Sequence, residues 1–292
     1  MKRTTMLFKA IFPPEFEAKF RRRLVEQNNR EVLKIIQKNK RFENIYSGKR
    51  CFIIGNGPSI KKVDFSLLKD EMVFTVNQSP RMNNFRELNT NFHIWTDNRF
   101  FHLNKDDPSD MELLDVMKAV NTDKNKPIVF YKTSAKQMIE EYDLQSTLNI
   151  EYFCDGYINN ELSDVDFPID RILPIYPTCI HYAILIAIYM GFSEIYLLGC
   201  DCTGIVNTIN SRVAVDNEYE YGYAISENEK ERMKKISKQS SIANEFEWYA
   251  ALFRIYGYLY DYGIRHGCHI YNATEGSLIE NIPKVNLKDV IS

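Results

Sequence analysis

Cys51-Phe-Ile-Ile-Gly-Asn-Gly-Pro-Ser-Ile60 decides the reading of this chain. Cys51 to Ile54 form an apolar run that suits a strand buried on both faces. Gly55-Asn56-Gly57 then turns the backbone tightly, and glycine leaves room for a ligand to approach the main chain. Pro58 fixes φ where the next segment begins, and Ser59 offers a hydroxyl. A strand ending in a glycine-rich turn is where an open α/β sheet binds a nucleotide. An ordinary strand–turn–helix corner has the same local pattern. The stretch is neither GxGxxG nor a P-loop, so both standard phosphate fingerprints are absent.

Working outward, more strand ends carry polar residues. Met72–Val76 reads as a second strand ending in Asn77-Gln78-Ser79-Pro80. Asn77 either faces a ligand crevice or serves the turn. Phe92–Thr96 is a third strand ending at Asp97, which is a ribose ligand, a base, or the N-cap of a helix beginning at Asn98. Pro127–Tyr131 and Ile150–Cys154 read as strands, with a helix near 134–142 between them. A short helix over Lys61–Leu68 is also expected. Pro177-Thr178 opens a helix from Cys179 to Gly191, capped by Thr178 and apolar nearly all round, hence buried. Its first turn holds His181, either a base or phosphate contact or a satisfied core histidine. Ile195–Leu198 follows as a central strand ending in Gly199-Cys200-Asp201, a second glycine-bearing strand end with an acid directed at the crevice. Residues 203–227 are polar, carry Tyr219, Tyr221 and Tyr223, and read as a lid or a short exposed strand. Glu227–Tyr262 reads as one helix, Cys268–Tyr271 as the last strand, and Asn272-Ala-Thr-Glu-Gly-Ser277 as another polar strand-end loop.

The 292 residues, 45% hydrophobic and 26% charged, describe a globular chain of one large domain or one domain with appendages. Charge is uneven. Residues 1–50 hold 14 Lys/Arg against 5 Asp/Glu, whereas the rest holds 23 against 34. The basic segment, residues 1–48, reads as a helical extension over 14–42, with Phe16, Phe20, Leu24, Val32, Leu33, Ile35 and Ile36 near helical spacing. Such a helix lies on an anionic membrane surface, packs on the catalytic domain, or joins two copies of the chain. Nucleic acid is excluded by the acidic body and the brevity of the basic run. Six cysteines without CxxC or zinc spacing read as buried thiols of a reducing compartment. Met6–Phe12 is short and broken by Lys9, so it makes no signal peptide. The longest apolar run, Ala183–Met190, falls far below the roughly 20 residues that span a bilayer. The expected location is cytoplasmic, with the inner face of the cell membrane as the alternative. Asp164-Val165-Asp166 is formally a DxD, a metal-holding pattern in some transferases and a common loop sequence otherwise.

Five short motifs then fall in one order: Gly55-Asn-Gly-Pro-Ser59, Val76-Asn-Gln78, Pro177-Thr178, Gly191-Phe-Ser-Glu-Ile-Tyr-Leu-Leu-Gly-Cys-Asp201, and Ile270-Tyr-Asn-Ala-Thr-Glu-Gly276. Together they resemble the bacterial sialyltransferases of glycosyltransferase family 42. They resemble more closely the broader family of flagellin-modifying motility accessory factors, which includes the archaeal 6-hydroxymethylpterin pyrophosphokinases. The resemblance covers roughly residues 50–285. It implies an α/β, Rossmann-like (GT-A-type), mostly parallel sheet flanked by helices over residues 49–292. It also implies a CMP-activated donor used without a metal or other cofactor. By resemblance, Asn56 and Asn77 contact the nucleotide, Gly57 and Ser59 shape the phosphate side, and Thr178 and Cys179 line the donor site. Gly55, Pro58, Gln78, Asn272 and Thr274 complete the expected nucleotide site. Two departures stand out. Thr203 occupies a position where the sialyltransferases have a tyrosine that holds the leaving phosphate, and residues 202–265 contain none of the expected lid histidine. The remaining candidates for the base are Asp97, His181 and Asp201, with Glu275 behind them.

The expected function is a bacterial glycosyltransferase of surface-glycan synthesis, moving a sialic-acid-like sugar from a CMP donor to a hydroxyl of a glycan or lipid-linked acceptor. The alternatives are a pterin-type pyrophosphokinase using ATP and Mg²⁺, with Asp97 and Asp201 as metal ligands, and a non-catalytic nucleotide-binding scaffold. Homo-oligomers are compatible with either enzyme.

Overall fold

The computed structural model describes residues 14–122, 125–157, 166–213, 220–236 and 240–291. Apolar runs become strands where the sequence expects them: β1 (Arg50–Ile54), β2 (Met72–Val76), β3 (Thr90–Trp95), β4 (Ile128–Lys132) and β5 (Asn149–Phe153). Two short strands, β6 (Asp155–Tyr157) and β7 (Leu173–Pro174), pair with each other, and β8 (Glu194–Leu198) and β9 (His269–Asn272) follow. Seven of these strands form one sheet in the order β5-β4-β3-β2-β1-β8-β9. Every pairing in it is parallel, with Phe52 opposite both Val73 and Tyr196. The fold is therefore α/β and Rossmann-like. Its strand order reverses between β1 and β8, and that switch point is where such sheets open a crevice.

Alternation along β1 explains why this strand is apolar throughout. Cys51 and Ile53 point into the core built on the Cys179–Tyr189 helix, while Phe52 and Ile54 pack with Ile60, Phe65 and Tyr196 on the opposite face. Nine consecutive residues of that helix, Ile180 to Ile188, are buried. Each large apolar side chain so buried contributes roughly 1.5–3 kcal/mol, which makes this helix a principal anchor of the sheet.

The helices, numbered along the chain, are α1 (Pro14–Asn28), α2 (Arg30–Ile36), α3 (Pro108–Lys118), α4 (Lys136–Glu141), α5 (Cys179–Tyr189), α6 (Gly204–Arg212), α7 (Glu227–Ile236), α8 (Ile242–Arg265) and α9 (Leu287–Ile291). No described helix is long and apolar enough to cross a membrane. From Val25 onward the basic segment is built into the body. Val25, Leu33 and Ile36 pack on Tyr157 and Ile172. Buried Asn39 donates to the carbonyls of Tyr152 (2.7 Å) and Ile169 (3.0 Å), and Glu26 pairs with Arg171. Phe20 and Leu24 remain exposed.

Local chemistry moves several expected boundaries. The helix expected over 14–42 breaks at Asn29, whose φ of −127° and ψ of 44° are not helical. The one expected over Lys61–Leu68 is instead two 3-10 turns, Pro58–Lys62 and Phe65–Leu68, the second capped by the Asp64 carboxylate accepting from Ser66 N. Asn98 starts only a 3-10 turn, and the longer helix waits for Asp107, which caps α3. Glu227–Tyr262 is two helices, because Ser241 accepts from Asn244 N and starts α8 afresh. Residues 155–176 contain the β6–β7 pair, and the expected lid contains α6. Residues 1–13, Asp164-Val165 of the DxD, Tyr219 and the side chain of Phe16 lie outside the described residues.

Candidate nucleotide site at the sheet switch point

The glycines after β1 are dictated by how closely two strand ends meet. Gly55 N donates to Leu198 O (2.7 Å) and Gly57 N to Gly199 O (2.8 Å). A Cβ on Gly55 would sit 2.4 Å from Gly199 O, and one on Gly57 would sit 1.9 Å from Asp201 Oδ2. Asp201 then locks the turn: Oδ1 accepts from Ser59 N (3.0 Å) and Oδ2 from Ser59 Oγ (2.8 Å). On the other side Asn56 donates through Nδ2 to Val76 O (3.1 Å) and accepts from Ser79 Oγ (2.8 Å). Asn77 takes the left-handed conformation, φ 44°, that asparagine tolerates, and its Oδ1 accepts from Thr96 N (3.2 Å). Each polar strand end thus fastens the next, from β8 through β1 and β2 to β3.

Over this frame lies a cavity of about 290 Å³. It collects Gly55, Asn56, Gly57, Asn77 and Gln78 from the sheet ends, Thr178 and Cys179 from the start of α5, and Asp201. Tyr221 and Tyr223, stacked with centroids 5.3 Å apart, close one side. An adjoining cleft of about 810 Å³ shares Asn77, Arg99, Thr178 and Cys179 and adds Asp97, Lys132, Trp248 and Tyr249. Ser59, Asn272, Thr274 and Glu275 line a different cleft beyond the β1 turn. There Thr274 Oγ1 accepts from Cys200 N (3.0 Å), and Asn272 Oδ1 accepts from Thr274 N (3.1 Å). Pro58 opens the 3-10 turn that carries Ser59.

The three candidate bases differ sharply in setting. His181 is fully buried, edge-on to Tyr256 at 4.4 Å, with neither ring nitrogen hydrogen-bonded among the described residues. Burial lowers its pKa to about 3, and the structure sets it in the core rather than in either cleft. Asp201 reaches the cavity, but each of its oxygens accepts from Ser59. Asp97 faces the adjoining cleft, gripped by Arg99 through Nε (3.0 Å) and Nη2 (2.6 Å). The cavity thiols are held protonated. Burial raises Cys179 to about 11 and Cys202 to about 12, so neither serves as a nucleophile at neutral pH.

Other residues at the site carry no motif. Glu229 and Arg232 of α7 are each 1% exposed and joined by two hydrogen bonds of 2.8 and 2.7 Å. Glu229 also accepts from Gln78 Nε2 (2.7 Å) and approaches Arg81 (3.5 Å), tying α7 to the end of β2. In the charge-dense stretch Glu227–Ile236 these two residues read as solvent-facing, and only their i,i+3 spacing hints at a pair. Lys132 ends β4, pairs with Asp155 (2.8 Å), and stands over the Tyr182 ring.

An Mg²⁺-dependent phosphoryl transfer holds its metal through one or two carboxylates together with the substrate's phosphates. Asp97 and Asp201 face different clefts and are each engaged by protein donors. Among the described residues, no three His, Cys, Asp or Glu side chains group as metal ligands.

A parallel sheet with a glycine-turn crevice at its switch point makes this a Rossmann-like α/β protein. The profile of the 6-hydroxymethylpterin diphosphokinase MptE-like family matches residues 25–205, more than half of the chain, and the chain belongs to that family. No curated protein sequence matches it. Among solved structures, the sialyltransferase CstII from Campylobacter jejuni, in complex with cytidine-5'-monophosphate, aligns with a TM-score of 0.44 and 16% identity over 82% of this chain and 85% of that one. The MAf glycosyltransferase from Magnetospirillum magneticum AMB-1 aligns with a TM-score of 0.46 and 14% identity over 87% of this chain, which spans 38% of that protein.

Proposed function

We propose that the chain is a glycosyltransferase of surface-glycan synthesis that takes its sugar from a CMP-activated donor. The observation that carries this reading is the pairing of two spaces across Asn77, Arg99, Thr178 and Cys179. One is the glycine-floored cavity, suited to the nucleotide. The other is a larger cleft whose Trp248, Asn244 and Glu245 suit a sugar, an aromatic face beside amide and carboxylate groups. The sequence motifs favour CMP as the nucleotide.

In this reading an acceptor hydroxyl in the larger cleft attacks the anomeric carbon. The new C–O bond forms as the bond to the nucleotide phosphate breaks, and the electron pair leaves on the phosphate oxygen. Asp97, the one candidate base facing that cleft, takes the hydroxyl proton while Arg99 orients it. Family membership favours a second reading, ATP-dependent diphosphate transfer to a pterin-like alcohol; its candidate metal ligands, Asp97 and Asp201, line different clefts. The test is release of CMP from a panel of CMP-activated sugars, with and without sugar acceptors. Acceptor-stimulated release in the presence of EDTA is expected. Absence of release from every donor, together with AMP formation from ATP and a hydroxymethylpterin, overturns the proposal.

A further inference from the structure

We propose that Arg232 is the phosphoryl-binding residue of the cavity, its Nη1 donating to an anionic oxygen of the bound ligand. The ligand named here rests on the nucleotide reading above, whereas the anion chemistry stands on the arginine itself.

The guanidinium is held from two sides. Nε and Nη2 donate to the Glu229 carboxylate at 2.8 and 2.7 Å, and the group lies over the Phe100 ring at 4.9 Å. These contacts fix its plane and leave one nitrogen over. Nη1 is buried and has no hydrogen-bond partner among the described residues. An unmatched donor on a buried cation is among the costliest groups to leave unsatisfied, and a ligand that supplies an anionic acceptor removes the cost. Arg232 and Phe100 both line the cavity.

Two arginines and two glutamates make this cluster neutral, so it sets no net negative charge against an anion. The Glu229 carboxylate is shared with Arg81, which also pairs with Glu112 at 2.5 Å, so Arg232 does not hold its counter-ion alone. Asp201, the other acid lining the cavity, is engaged by Ser59. The support is also rigid. Lys235 bonds Asp107 (2.6 Å), and Ser226 and Asn228 bond Glu112 (2.6 and 2.9 Å), which pins α7 to α3. A guanidinium held this way keeps its plane when an anion reaches Nη1.

The test compares ligands that differ only in the phosphate. Cytidine and CMP are titrated calorimetrically into wild type, R232Q and R232K. Wild type is expected to bind CMP at least about tenfold more tightly than cytidine, the scale of one charge-assisted bond. R232Q is expected to lose that difference while binding cytidine as wild type does, with R232K between them. Equal weakening of both ligands in R232Q, or unchanged CMP binding, overturns the proposal, the first because it marks a structural role. If R232Q does not fold, R232K decides, because it keeps the charge beside Glu229 and loses the fork. If neither cytidine nor CMP binds wild type, the nucleotide reading fails and inorganic phosphate becomes the probe. A rise in melting temperature in wild type that both variants lack then upholds the anion site, and equal rises or none overturn it.

Discussion

Removing the Asp201 carboxylate should unlock the β1 turn and cost stability before it costs chemistry. The side chain is 5% exposed and accepts two hydrogen bonds from one residue, Ser59 N at 3.0 Å and Ser59 Oγ at 2.8 Å. Each bond to a charged acceptor contributes about 1.5–3 kcal/mol. Asp201→Ala therefore loses roughly 3–6 kcal/mol, and Ser59→Ala, which keeps the backbone donor, roughly 1.5–3 kcal/mol. The double variant should be little worse than Asp201→Ala, giving a coupling of about 1.5–3 kcal/mol, because the hydroxyl has no further partner to lose. Urea unfolding of the four proteins measures this. A second readout is nucleotide affinity, which should fall with Asp201→Ala because Gly57 packs against the carboxylate. If Asp201→Ala unfolds at the wild-type urea midpoint, binds nucleotide normally and loses only turnover, the strut argument is wrong and Asp201 is the base.

His181 and His93 are buried with pKa values lowered to about 3, so the unfolded chain takes up protons below about 6.5 that the native state refuses. Their contribution is whole above that pH and is lost as pH falls toward 3, at roughly 1.4 kcal/mol per unit for each histidine; unfolding free energies from urea titrations of His181→Leu between pH 6 and 4 should show a slope shallower by nearly that amount. Asp97→Asn should keep nucleotide affinity and lower turnover by about 10²–10⁴, measured by CMP release; weakened CMP binding instead would place Asp97 in the donor site. Trp248→Ala should raise the acceptor KM about tenfold, from roughly 1.5 kcal/mol of lost ring contact, without changing donor affinity in the same assay. Asn39→Ala should cost about 2–4 kcal/mol by thermal unfolding, because it strips two buried carbonyls of their donor. An unchanged melting temperature would mean that the N-terminal segment is not fastened to the body.

How far the sequence reaches depends on whether a residue's partners are near it in the chain. The β1 turn was legible because a strand buried on both faces leaves an unbroken apolar run and because two backbones meeting at Gly55 and Gly57 admit no other residue. Thr178 was legible for the same local reason, since a cap hydroxyl serves its own helix. Asn56, Asn77, Thr178 and Cys179 were all expected at one site, and the cavity brings them together. Asn272 and Thr274 share the strand-end pattern but lie beyond the β1 turn, because β9 is three strands from β2 and its loop folds back on Cys200. His181 could not be placed, since a helix apolar on every side gives no sign of which face meets a crevice. Glu229 and Arg232 were invisible for the opposite reason. Their stretch reads as a solvated helix, and only the packing of α7 on α3 and on Gln78 buries them.

The most direct test of the account is a thermal-shift screen of the protein with CMP, CDP, UDP, GDP and ATP, each with Mg²⁺ and with EDTA. A ligand at 100 times its dissociation constant adds about 2.7 kcal/mol of stability, easily seen as a rise in melting temperature. The account predicts stabilisation by CMP that is the same with EDTA as with Mg²⁺. Stabilisation by ATP alone, and only with Mg²⁺, would contradict it.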